Sequence, residues 1–238
     1  MVRDIEVTLY DVFGYLYPGA VLLVAIAVAA WAVFFPAVEP AVPSVSFQGW
    51  ILIVFVSYLL GHITQAIGNL LTAVYPTVQD LDADQKRYTP DALVEAAYDR
   101  AYSMTGVPRE QFTWEALGRL CDTTITQCGL VADRDVYVYR QGFYRGISIS
   151  FFALALALLL VGIKLCLGML SLRAVGFPSC SWLAVVGTAL VLSVGAGLLF
   201  RARFKHFVAV RTTAQIHAFL VLHGKRLLEA QEGGGTDA

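Results

Sequence analysis

Apolar residues in this chain gather into four runs, at about residues 15–35, 50–71, 147–165 and 182–200, with polar residues between them. Each run approaches the ~20 residues needed to cross about 30 Å of hydrocarbon. Lipid offers the backbone no water, so each run predicts a helix that satisfies its own amides. The fold class expected is all-α: a four-transmembrane-helix bundle with a helical cytoplasmic domain. That domain is formed by the loop between helices 2 and 3 together with the C-terminal helix. Residues 1–75 hold transmembrane helices 1 and 2, 76–145 the cytoplasmic insert, 146–200 helices 3 and 4, and 201–238 the C-terminal helix with a disordered tail.

The polar stretches carry their own helix signals. Gly14 and Pro18-Gly19 mark the start of the first span, since proline suits a first turn; an amphipathic approach segment, 5–13, precedes it. Pro76 ends the second span because it cannot continue the hydrogen-bond ladder. The acidic stretch of Asp80, Asp82 and Asp84 lacks the turn glycine and closing glutamate of a calcium loop and reads as solvated. Thr89-Pro90-Asp91 opens a helix with a capping hydroxyl, a first-turn proline and an acid. That helix runs to Met104 and stops at Gly106, with Ala97 and Ala101 on its apolar stripe. Thr113-Trp114-Glu115 opens a second, ending before Ile125. A third begins near Ala132 and continues unbroken into the third span, with Tyr137, Tyr139, Phe143 and Tyr144 at interfacial depth. The segment from Arg201 to about Ala230 extends the fourth span and offers Ile216, Phe219 and Leu220 for packing against the loop helices.

Orientation follows from lysine and arginine near the span ends. The loop 36–49 has neither, only Glu39 among three prolines, and is expected outside. Arg201, Arg203, Lys205 and Arg211 follow the fourth span, so that end is expected inside, and an even number of spans places the N-terminus there too. Lys164 and Arg173 oppose the scheme; Lys164 either snorkels to the headgroups or faces a partner within the bundle. Ala30-Trp31-Ala32 has the form of a signal cleavage site. Arg3 stands among Asp4, Glu6 and Asp11, however, so no basic leader precedes it, and the first run is read as a retained span.

Composition strengthens this picture. The chain is 58% hydrophobic and 15% charged, against about 45–50% and about 25% in soluble domains. A net charge of -1 argues against a nucleic-acid binder, which usually carries a basic face. Cys121 and Cys128 are spaced too far apart for a zinc pair. Cys166 and Cys180 flank the loop between the last two spans; they form a disulfide if that loop faces an oxidising space, and otherwise all four cysteines are small apolar fillers.

Candidate chemistry concentrates on the second span. Tyr58, His62, Gln65 and Asn69 fall at i, i+4, i+7 and i+11 and form one polar intramembrane face, with Ser57 and Gly61 beside it. Polar groups at membrane depth are costly and usually face the bundle interior or a cavity. The face either lines a pore, pocket or proton path through His62, or bonds neighbouring helices, with Ser148 and Ser150 at similar depth. Asp11, at the edge of the first span, has Arg145 or Arg201 as a partner. Ala189, Ser193 and Gly197 form a small-xxx-small row which, with Gly61, is expected to pack helices closely; the partner is this chain or another copy. His206 and His217 are too far apart to share a metal, and no metal ligands, cofactor motif or catalytic residues emerge. Ser193 has the setting of an intramembrane nucleophile but no histidine on another span to activate it.

Three segments together, Phe13-Gly14-Tyr15-Leu16-Tyr17-Pro18-Gly19, Tyr58-Leu59-Leu60-Gly61-His62-Ile63-Thr64-Gln65 and Phe143-Tyr144-Arg145, resemble a group of uncharacterised bacterial four-helix membrane proteins. Some similar proteins occur beside anti-phage defence genes, where membrane proteins act as cell-killing effectors. The resemblance implies a bacterial inner-membrane location and an antiviral-defence effector without enzymatic activity. The expected partners are the lipid bilayer, other copies in a homo-oligomer, and a cytoplasmic protein or small signalling ligand, but no nucleic acid. A membrane anchor or scaffold for a soluble partner, and a small channel or transporter, are the alternatives.

Overall fold

In a computed structural model the described residues are 2–34, 44–71, 91–128, 131–168 and 179–233. Among them all regular structure is helical. The helices are α1 (Val2–Phe34), α2 (Phe47–Leu70), α3 (Asp91–Thr105), α4 (Trp114–Gln127), α5 (Val131–Cys166) and α6 (Ser179–Gly233), with a single 3₁₀ turn at Arg109–Gln111. Four stretches are long and apolar enough to cross a membrane: Val12–Phe34, Phe47–Leu70, Val138–Cys166 and Ser181–Leu222. They coincide with the four apolar runs, and the chain is of multi-pass membrane type. The chain divides into two compact units, one of residues 1–75 and 139–204, the other of 76–138 and 205–238.

In the first unit α1 and α2 lie in backbone contact. Gly19 and Gly61 make this possible. A Cβ on Gly19 would meet the Ser57 carbonyl oxygen and lie 2.6 Å from the Gly61 nitrogen; a Cβ on Gly61 would meet the Tyr15 carbonyl group. Helices that bury no water between them gain mainly from such close packing. Ser46 caps α2, its hydroxyl accepting from the Gly49 amide at 3.2 Å. Further along the bundle, Ala32 and Val161 form a small core with Val28, Trp31, Leu160, Leu165 and Val186. Outward-facing residues such as Leu52, Phe55, Leu156 and Leu192 are exposed, as lipid-facing side chains are.

The expected start of the first span at Pro18 needs correction. α1 runs unbroken from Val2, with Pro18 inside it. Proline is tolerated within transmembrane helices where neighbouring groups and small local adjustments absorb the freed carbonyl, and Pro18 is fully buried.

In the second unit two of the helix signals act as read, while Thr89 and Pro90 lie outside the described residues and α4 runs past the expected end before Ile125 to Gln127. Thr113 caps α4 by accepting from the Ala116 amide at 3.2 Å, and Gly106, at φ +70°, ends α3 in a left-handed conformation that suits glycine. Ala97 and Ala101 of α3, Leu117 and Cys121 of α4, and Ile216 and Phe219 of α6 close one hydrophobic core. α6 has 55 residues, about 80 Å at 1.5 Å per residue, so it far exceeds one bilayer crossing. Glu39, Pro76, the acidic stretch 80–87, Arg173 and residues 234–238 lie outside the described residues.

Candidate functional site

α2 presents two neighbouring stripes. Ser57, Gly61, Thr64 and Gly68 are its buried residues. They share the i, i+4, i+7, i+11 spacing of Tyr58, His62, Gln65 and Asn69, displaced by one position. One position is a rotation of about 100°. The small stripe therefore faces the bundle and the polar stripe lies at its margin. Thr64 returns its hydroxyl hydrogen to the Gly61 carbonyl at 2.7 Å, so it is buried without an orphan donor.

The structure divides the polar stripe rather than assembling it. Tyr58 and His62 join Tyr15 of α1 in an aromatic group: the His62 ring stacks on Tyr15 at 3.9 Å, and Tyr58 meets it edge-on at 4.8 Å. His62 and Asn69 are exposed, and Gln65 is half-buried. Gln65 turns to α5. Its Nε2 donates to the Gly142 carbonyl, and its Oε1 accepts from Arg145 Nη2 at 2.9 Å and Nε at 3.3 Å. One amide side chain thus ties α2 to α5 with both its donor and its acceptor ends. Gly68 and Gly146 make room: a Cβ on Gly68 would lie 2.7 Å from Arg145 Cδ, and one on Gly146 2.9 Å from Gln65 Nε2.

Arg145 is the functional side chain that the sequence pattern underrated. Arg145, like Arg201, is a candidate partner for Asp11, whose side chain lies outside the description; the bond seen is to Gln65. The serines expected opposite His62 also bond elsewhere, Ser148 to the Gly197 carbonyl at 2.8 Å and Ser150 to the Gly146 carbonyl at 3.0 Å. No local signal distinguishes those acceptors, since they are backbone carbonyls of glycine.

The Ala189–Ser193–Gly197 row packs within the chain. Ser193 is buried, and a Cβ on Gly197 would lie 2.9 Å from the Phe152 ring of α5. Of the two readings of Lys164, the intrachain partner holds: its Nζ donates to the Ala32 carbonyl at 2.9 Å, near the C-terminus of α1, where helix carbonyls lack intrahelical donors. Cys166 is a free, exposed thiol, and the side chain of Cys180 lies outside the description.

The second unit holds a separate polar set. Gln215 of α6, buried, donates to Asp122 of α4 at 2.9 Å. Glu95 and Arg109 form a forked ion pair, with Arg109 also 5.1 Å from the centre of the Tyr98 ring. The Arg109 hydrogen bond holds the Glu95 carboxyl below its ordinary value, and Glu95 in turn raises Arg109. Burial pushes the Cys121 thiol up to about 12. Among the described residues no three histidine, cysteine, aspartate or glutamate side chains gather as metal ligands.

Chemically, the Gln65–Arg145–Gly142 cluster fastens helices, and the His62 aromatic group offers a ring to the outside of the bundle. Comparison of the chain with protein-family models, curated proteins and solved structures found no match.

Proposed function

We propose that this chain is a non-enzymatic inner-membrane effector of bacteria, which assembles with copies of itself to perturb the bilayer when its second unit receives a signal. The observation that carries the reading is the exposure of His62 at membrane depth. His62 lies eight residues before Leu70, the end of α2, about 12 Å along the axis. Tyr15 and Tyr58 cover part of the imidazole within the chain; the part left facing hydrocarbon at that depth is costly unless something further covers it. A second copy would supply the same Tyr15–Tyr58–His62 surface and cover it symmetrically, as twofold interfaces do.

Two further features fit this reading better than a single-chain channel. Gln65, Ser148, Ser150 and Lys164 are all engaged in bonds within the bundle. The cavity between α1 and α5 deeper in the span, about 460 Å³, is lined only by apolar residues, from Leu22 and Ala25 to Leu160 and Ile163. A polar path through this bundle would need several chains.

The test is expression in cells carrying a membrane-potential dye, combined with disulfide crosslinking through Ala66→Cys on the exposed side of α2. We expect crosslinked dimers, and depolarisation that His62→Leu abolishes without loss of folded protein. Monomers only, or His62→Leu retaining full effect, refutes the effector reading. An anchor for a soluble partner then takes its place, with the packed core of α3, α4 and α6 as the partner's platform.

A further inference from the structure

At the opposite end of the first unit from Lys164, α1 and α5 diverge around a cavity of about 340 Å³. It is lined by Phe13, Gly14 and Tyr17 from α1 and Tyr139, Arg140, Phe143 and Tyr144 from α5. Its size falls within the range of small-ligand sites, about 300–1,000 Å³.

Depth defines the environment. The apolar runs of the two helices begin at about residues 15 and 147. Phe13 and Tyr17 bracket the first start and Tyr144 stands three residues before the second, about 5 Å along the axis, so the cavity sits at the edge of the hydrocarbon. That layer is where headgroups meet acyl chains and where amphipathic groups bury about 5–10 Å. Arg140, seven residues before the second run, stands about 10 Å to its polar side.

The lining matches a specific chemistry. A guanidinium presents a planar fork of donors that suits a phosphate oxygen pair. Three tyrosines add hydroxyl donors and an apolar body, and Phe13 and Phe143 give a wall against which the first methylenes of an acyl chain can lie. The wall is well formed: Phe13 stacks with Tyr17 at 5.6 Å and Phe143 meets Tyr144 edge-on at 5.3 Å. Basic pockets between transmembrane helices are a known setting for anionic lipid headgroups. We propose that this cavity binds the phosphodiester headgroup of an anionic phospholipid, with Arg140 as its charge partner and the tyrosines as hydroxyl donors. The site does not depend on the effector reading; a scaffold would carry it equally.

Gly14 gives the proposal a second handle. No other group lies within 4 Å of where its Cβ would stand, yet the residue lines the cavity. Gly14→Leu therefore adds bulk to the cavity without striking backbone, and removes a glycine from helix interior.

The experiment titrates delipidated full-length protein in neutral detergent with phosphatidylglycerol, phosphatidylcholine or inorganic phosphate, and reads bound lipid by native mass spectrometry. Wild type should prefer phosphatidylglycerol to phosphatidylcholine by about tenfold or more, because the choline ammonium offsets, beside Arg140, the phosphate charge that glycerol leaves unopposed. Arg140→Gln should erase the preference, and Gly14→Leu should weaken binding of both lipids. Arg203→Gln, an exposed arginine outside the cavity, should change nothing. Retained preference in Arg140→Gln overturns the site. So does an equal loss in Arg203→Gln, which would mean diffuse surface charge. Inorganic phosphate competing at similar concentration, with the same dependence on Arg140, would assign the cavity to a soluble anion and overturn the lipid. If Arg140→Gln does not fold, undiminished lipid binding by Gly14→Leu overturns it alone.

Discussion

Gly19→Ala and Gly187→Ala make the same chemical change in two transmembrane helices and should shift stability in opposite directions. In a helix interior alanine is favoured over glycine by about 0.8–1.0 kcal/mol. Gly187 collects that gain, because no neighbouring atom lies within 4 Å of its new Cβ. At Gly19 the methyl group meets the Ser57 carbonyl and stands 2.6 Å from the Gly61 nitrogen. These are backbone atoms of α2 and cannot swing aside as a side chain would. Overpacking costs about 1–3 kcal/mol, and a backbone obstacle places Gly19 at the upper end. Against the propensity gain this leaves a net loss of about 2 kcal/mol. The two variants should then differ by about 3 kcal/mol. Reversible unfolding in mixed micelles, titrated with sodium dodecyl sulfate, measures both. Stabilisation of both variants, or an equal loss in both, would show that α1 and α2 do not meet at Gly19 and would undo the packing described.

Three further outcomes test other parts of the chain. A maleimide should label Cys166 in the folded protein and spare Cys121. Because burial raises the folded-state value of Cys121 to about 12, the unfolded chain loses this proton first; stability of the α3–α4–α6 core should fall as pH rises from about 9 towards 12, and Cys121→Ala should flatten that fall. Unfolding that is insensitive to pH in this window removes Cys121 from the core. A reporter fused after Ala238 should be active only in the cytoplasm, and one inserted at Val42 only outside; activity of the Ala238 fusion outside reverses the orientation.

Span positions were legible because a single quantity, apolar length, decides them. The same holds for helix starts with local chemistry, such as the Thr113 cap. Pro18 misled because proline has two roles: it suits a first turn, and it also survives inside a span when its surroundings are buried. The polar stripe on α2 was read with the correct periodicity, since positions 58, 62, 65 and 69 stay within about 60° of one another on the helix. What it meets is set by the neighbours. The contact face was the adjacent stripe of Ser57, Gly61, Thr64 and Gly68, and only Gln65 has the reach to cross from the margin to α5. Ser148, Lys164 and the amide nitrogen of Gln65 donate to main-chain carbonyls, and every residue carries one. No pattern of side chains could have singled them out.

Two cations of α5 find acceptors in the N-terminal helix pair: Arg145 at Gln65 of α2 and Lys164 at Ala32 of α1. The ribosome makes that pair first. A lone cation at the centre of a span costs about 2.5–3.5 kcal/mol on insertion scales and less towards the ends, so α5 enters more easily with an acceptor at hand for each end charge than alone. It arrives after α1 and α2 have been made, and its charges can transfer directly to groups already waiting at the two ends of the crossing. Synthesis order and fold are thereby coupled: moving α5 ahead of the α1–α2 pair in a rearranged gene would strand both charges at the step when the segment leaves the translocation channel.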